Sequence, residues 1–100
     1  MTTLSENIKQ RFDHEAAKQT LQEKYEAKMI FASCGGMWRA DSTLITLLAS
    51  IEDIDNPVIL DLYGNPVSVD RVALLKETKQ RWQEQLNAWL VELTEISQQR

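Results

Sequence analysis

Apolar residues along this chain switch from helical spacing to strict alternation and back, twice over, and each switch marks an element. Thr3-Leu4-Ser5-Glu6 has the form of a capping box, in which a hydroxyl and a carboxylate satisfy backbone donors at a helix start. From there to Lys28 no Gly or Pro intervenes. Leu4, Ile8, Phe12 and Ala16 form a drifting stripe that Tyr25 and Met29 rejoin, thin around Lys18, Gln19 and Thr20. A helix over 3–28 with a weak packing face follows. Met29-Ile30-Phe31-Ala32-Ser33 and Met37-Trp38-Arg39-Ala40 then flank Cys34-Gly35-Gly36, two β-favouring runs around a Gly pair, which predicts a hairpin over 29–40.

Asp41 or Ser42 is suited to cap a short helix over 42–53, whose Leu44, Leu47, Leu48 and Ile51 follow the i, i+3, i+4, i+7 template. Beyond Pro57, Val58, Leu60 and Leu62 alternate with Ile59 and Asp61, and Val67 and Val69 flank Ser68. This predicts a second hairpin over 58–69 with one apolar face, carried by Val58, Leu60 and Leu62 and by Val67 and Val69. Pro66 has no N–H to give, so its loop is expected to be wider than two residues. Asp70 is the expected N-cap of a final helix over 71–97. There Val72, Leu75, Lys79, Trp82, Leu86, Trp89, Leu93 and Ile96 alternate by three and four, a seam suited to another helix, and Leu74 and Leu90 widen it. The expected fold is a single α+β domain over 1–100 in the order α-ββ-α-ββ-α, two β-hairpins packed with long N- and C-terminal helices.

Composition narrows the function classes. The 100 residues carry 11 Lys+Arg, 15 Asp+Glu and one cysteine, for a net charge of −4. One Cys forms no intramolecular disulfide and no cysteine-rich zinc site, which suits a reducing compartment. No apolar run reaches a membrane span, and the N-terminus lacks a signal peptide's apolar centre. The charge is unevenly placed. Residues 1–28 and 70–100 are each balanced, with five bases against five acids, and Glu6/Lys9, Glu15/Lys18 and Glu77/Arg81 stand at helical spacing. The excess belongs to residues 29–69, where Arg39 stands alone against Asp41, Glu52, Asp53, Asp55 and Asp61.

Candidate chemistry is sparse. Cys34 in a turn could serve as a nucleophile only with a base, and His14 is about twenty residues away on a polar stretch of helix. Glu52, Asp53, Asp55 and Asp61 lack the alternating ligands, the Gly and the closing Glu of a calcium loop. Cys34-Gly35-Gly36 is no phosphate loop. No catalytic, metal or cofactor residues are therefore expected. Trp82 and Trp89 lie seven apart on one face, and tryptophan suits both cores and contact anchors. Nucleic-acid binding would need unbalanced bases among these aromatics, and Lys76, Lys79 and Arg81 are offset by neighbouring acids.

Two stretches carry a resemblance. Phe31-Ala32-Ser33-Cys34-Gly35-Gly36-Met37-Trp38-Arg39-Ala40-Asp41 precedes a short Leu-rich helix, and Val58-Ile59-Leu60-Asp61-Leu62-Tyr63-Gly64-Asn65-Pro66-Val67-Ser68-Val69-Asp70 leads into the long Leu/Trp helix. Together they resemble small accessory proteins of tailed bacteriophages, cyanophage-type in particular, and a compact domain of tail-fibre and tail-assembly proteins. The likeness covers roughly residues 10–96, and the first helix departs most from it. It implies a role in virion structure or assembly, in the virion or the host cytoplasm, and carries over no catalytic residue. The expectation is a non-enzymatic phage structural or assembly protein that meets protein partners or its own copies through Trp82, Leu86, Trp89, Leu93 and Ile96. The alternative is a cytoplasmic adaptor or inhibitor that binds a host protein through the acidic central segment.

Overall fold

A computed structural model describes the backbone of residues 4–98 and the side chains of residues 14–98. Its elements are α1 (Leu4–Lys28), β1 (Ile30–Ser33), β2 (Gly36–Arg39), α2 (Ser42–Ser50), β3 (Val58–Leu60), β4 (Pro66–Ser68) and α3 (Arg71–Gln98). This is the α+β order expected, α-ββ-α-ββ-α, with each hairpin a separate two-stranded antiparallel sheet. The capping box at Thr3 and the Glu6/Lys9 pair lie outside the described residues and side chains, as do the contacts of Leu4, Ile8 and Phe12.

The first hairpin turns on Cys34-Gly35, one residue earlier than the Gly pair suggests. Both residues have positive φ, 52° and 78°, as a two-residue turn matched to strand twist requires. Gly36 instead belongs to β2, opposite Ser33. A Cβ there would lie 3.0 Å from the Trp38 ring, 3.2 Å from Val67 and 3.3 Å from Asp61. Glycine is needed at this position for close approach, because the second hairpin presses on the first here.

Asp61 locks the two hairpins together. One of its carboxylate oxygens accepts from the Met37 N–H at 3.3 Å, and the other from Tyr63 and Asn65 at 2.9 and 3.0 Å. The Leu62 N–H donates to the Met37 carbonyl at 2.7 Å. The Asn65 amide, with help from Met37 and Tyr63, holds this carboxyl below the usual Asp range against the opposing effect of desolvation. The turn Asp61–Asn65, with Gly64 at positive φ, is the wider loop anticipated from Pro66.

This lock reverses the expected face of β3, while Val67 and Val69 turn inward as expected. Side chains alternate along a strand, so turning Asp61 toward Met37 turns Ile59 inward with it. Ile59 is buried and its partner Val67 partly so, whereas Val58 and Leu60 face outward, and Leu62 is only partly buried.

The core lies between the hairpins, α2 and the first turns of α3. Met29, Phe31, Trp38, Ala40, Leu44, Leu48, Ile59, Val69 and Leu74 are buried together, and Trp38 donates its indole N–H to the Ser33 carbonyl at 2.7 Å. Asp41 caps α2 through the Leu44 N–H at 2.9 Å, and Asp70 caps α3 through Ala73 at 3.2 Å, both as expected. Helix α2 stops at Ser50, before the expected residue 53. It buries Leu44 and Leu48, while Leu47 stays exposed. Arg71 reaches back to donate to the Leu48 carbonyl near the end of α2, which ties the two helices.

Beyond this head, α1 and α3 run antiparallel as a stalk, and the molecule measures 66 × 22 × 20 Å. Its radius of gyration of 18.7 Å well exceeds the roughly 13 Å of a compact chain this long.

Candidate functional site

The stalk is built from a stripe on each helix. On α1 the inward positions are Leu21, Tyr25 and Met29, all buried, with His14 and Ala17 partly buried above them. Ala16, expected on the stripe, is exposed, and His14 is partly buried rather than fully exposed. Leu21 was legible as the residue one turn before Tyr25, but the polar Lys18-Gln19-Thr20 run obscures it.

On α3 the five seam residues Trp82, Leu86, Trp89, Leu93 and Ile96 are all partly buried on one side of the helix. The structure brings the five together along one helix and covers each of them only in part. Nearer the head the expected seam is displaced. Val72 and Lys79 are exposed, and the buried positions are Leu74 and Thr78. Thr78 tolerates full burial because its hydroxyl donates to the Leu74 carbonyl at 2.7 Å. A straight helix keeps its contact face at a period of 3.6, so the inward track 74-78-82 leaves the heptad track of 72-75-79. Leu90, expected to widen the buried stripe, is 62% exposed.

The two stripes meet at Tyr25, Trp89 and Glu92. The Tyr25 and Trp89 rings stack with centroids 5.9 Å apart and planes within 6°. Glu92 accepts from Lys24 Nζ at 2.7 Å and from the Tyr25 hydroxyl. The bond from Lys24, then that from Tyr25, holds the Glu92 carboxyl below its ordinary range, and the same carboxylate raises both partners. Pattern reading passes over Glu92 because a charged residue does not register in an apolar count.

On one side of this pair the helices leave a groove of about 640 Å³. One wall is apolar, with Trp89 and Leu93, and the other polar, with Glu15, Gln19, Gln22 and Glu26 of α1 among its residues. Of the seam residues, Trp89 and Leu93 line this groove, while Trp82 and Leu86 pack against the head core. This groove is the candidate site.

The other candidates are held apart. Cys34 is exposed at the hairpin tip, and its neighbour Ser33 donates to Glu77 at 3.1 Å. That pins the tip to the head end of α3, and Glu77 also holds Arg81, the expected pair, at 3.1 Å. His14 lies on the stalk, about 21 Å of helical rise before Lys28, so it does not serve Cys34 as a base. Among the described residues no three His, Cys, Asp or Glu side chains gather as a metal site. No helix of the described residues is long and apolar enough to cross a membrane.

Compared with known proteins, the chain matches no family model, no curated protein and no solved structure.

Proposed function

We propose that the chain is a non-enzymatic protein that acts by contact, its stalk pairing with the stalk of a second copy. The observation that carries this reading is the groove, whose apolar wall is left half-covered by α1. Helices that bury one stripe need a second layer, and a lone helix pair supplies half of one. Trp82, Leu86, Trp89, Leu90 and Leu93 include no charged residue. The strip can therefore meet its own copy about a two-fold axis with the acidic α1 wall, Glu15, Glu23 and Glu26 against Lys18, at the rim of the contact.

The area suffices. The part of α3 beyond Arg81 is about 26 Å long at 1.5 Å per residue, and two helices are about 20 Å across. Each copy thus offers on the order of 500 Å², or about 1,000 Å² for the pair, at the lower end for a specific interface. The setting we infer is virion structure or assembly, the role implied by the resemblance of the hairpins to phage accessory proteins. Mass spectrometry of purified particles tests that setting: the chain is expected in them if it is structural, and in infected-cell extract alone if it is an assembly factor.

Self-association is tested by light scattering of the purified protein with and without a Trp89→Ala/Leu93→Ala double substitution. A dimer that the double variant turns into a folded monomer supports the reading. Monomers in both cases overturn it.

A further inference from the structure

The second hairpin carries an apolar face that the fold does not use. With Ile59 and Val67 turned inward, Val58 and Leu60 point outward and are 64% and 65% exposed. Across the ladder from them stand Ser68 and Pro66, so no charged side chain of the partner strand shields them. Tyr63 at the tip is 69% exposed, and Ile54, in the turn before β3, is exposed as well. Half of the eight exposed large hydrophobics among the described residues thus fall between residues 54 and 63. Scattered exposed apolar residues are ordinary, but a cluster on one short hairpin marks a contact surface.

The charge around this face selects what it meets. Glu52, Asp53 and Asp55 are exposed in the segment that feeds β3, and no Lys or Arg occurs between Arg39 and Arg71. Such a surface repels phosphate backbones and anionic lipid headgroups. It attracts a cationic segment that also has apolar side chains to bury. The stalk supplies no such segment in a second copy, since both long helices are charge-balanced.

We propose that the outer face of the second hairpin docks a basic, apolar segment of a partner protein. Val58, Leu60 and Tyr63 take its apolar side chains, and Glu52, Asp53 and Asp55 face its Lys or Arg residues. This surface is separate from the stalk groove, so it stands or falls independently of self-association.

The full-length protein is titrated with a synthetic amphipathic Leu/Lys peptide and with a Leu/Glu peptide of the same pattern, read by fluorescence anisotropy and by backbone amide shifts. The Leu/Lys peptide is expected to bind at least about tenfold more tightly at low salt, with shifts concentrated in residues 52–68. Val58→Ser with Leu60→Ser, both on the exposed face and so compatible with an unchanged circular dichroism spectrum, should weaken it about tenfold. Glu52→Gln with Asp53→Asn and Asp55→Asn should remove most of the salt dependence. Equal binding of both peptides, no binding of the Leu/Lys peptide, shifts centred on the stalk, or unchanged affinity in the Val58/Leu60 variant would each overturn the proposal. Preferential binding to phosphatidylcholine vesicles would overturn it too, by assigning the face to a lipid surface.

Discussion

The head and the stalk contain the same kinds of residue and use them differently. In the head, Trp38 is 2% exposed, surrounded by two hairpins and α2, with its indole N–H satisfied. In the stalk, Trp89 has the Tyr25 ring of α1 on one side and open groove on the other. A residue enclosed on all sides stabilises its own chain. One enclosed on half its surface has contact energy left over for another molecule. Identity of side chain does not decide between these roles; the number of elements that converge on it does.

Placing the same substitution in each region sharpens the contrast. Trp38→Ala removes the largest side chain from a closed core and is expected to cost about 3–5 kcal/mol, enough to unfold much of the population. Denaturant titration followed by circular dichroism measures this. A cost below about 1 kcal/mol would show the head to be less closed than described.

Trp89→Ala is expected to leave the head folded and instead to weaken association by about thirtyfold or more, the scale of an anchor residue. Sedimentation across a dilution series reads the loss, and the Trp38 indole N–H resonance reports whether the head persists. If the head melts along with association, the two regions are one cooperative unit and the comparison fails.

Gly36→Ala probes the contact between hairpins. The added methyl meets Trp38, Val67 and Asp61 at 3.0–3.3 Å, and overpacking at such a site costs about 1–3 kcal/mol. Thermal melting should show the loss without any change in association constant.

Two depressed carboxyls predict the acid behaviour of each region. Asp61 in the head and Glu92 in the stalk both titrate lower folded than unfolded. Their contributions are complete above the unfolded values of about 3.9 and 4.3, and are lost as pH falls through the folded ones. Stability below about pH 4 should therefore decline less steeply in Asp61→Asn than in the parent chain. An identical decline would mean the lock between hairpins does not depend on that charge. Lys24→Gln should have the smallest effect, because its pair with Glu92 is largely solvent-exposed. Any change it makes to the proposed self-association should disappear at high salt.

Much of the fold was legible from spacing, capping residues and glycines, because those signals are local. Asp41 and Asp70 cap where their side chains can reach backbone donors three residues on, and the hairpins turn where positive φ is available. The inward face of β3 was not legible. Val58-Ile59-Leu60 is apolar at every position, so alternation cannot choose a side. Asp61 decides it through a bond to Met37, 24 residues earlier in the chain. The displacement of the α3 seam from Val72 and Lys79 to Leu74 and Thr78 has a similar origin. A buried Thr reads as polar until its hydroxyl is seen to bond within the helix. Trp82, Leu86, Trp89, Leu93 and Ile96 were legible as one face, but their partial exposure depends on how little α1 covers.

The central claim is that the stalk is half of an interface. Multi-angle light scattering of the full chain at rising concentration tests it most directly. The expected result is a mass approaching twice that of one chain, returning to the single-chain value in the Trp89→Ala/Leu93→Ala variant with the head still folded. A parent protein that stays at the single-chain mass at every concentration would contradict it.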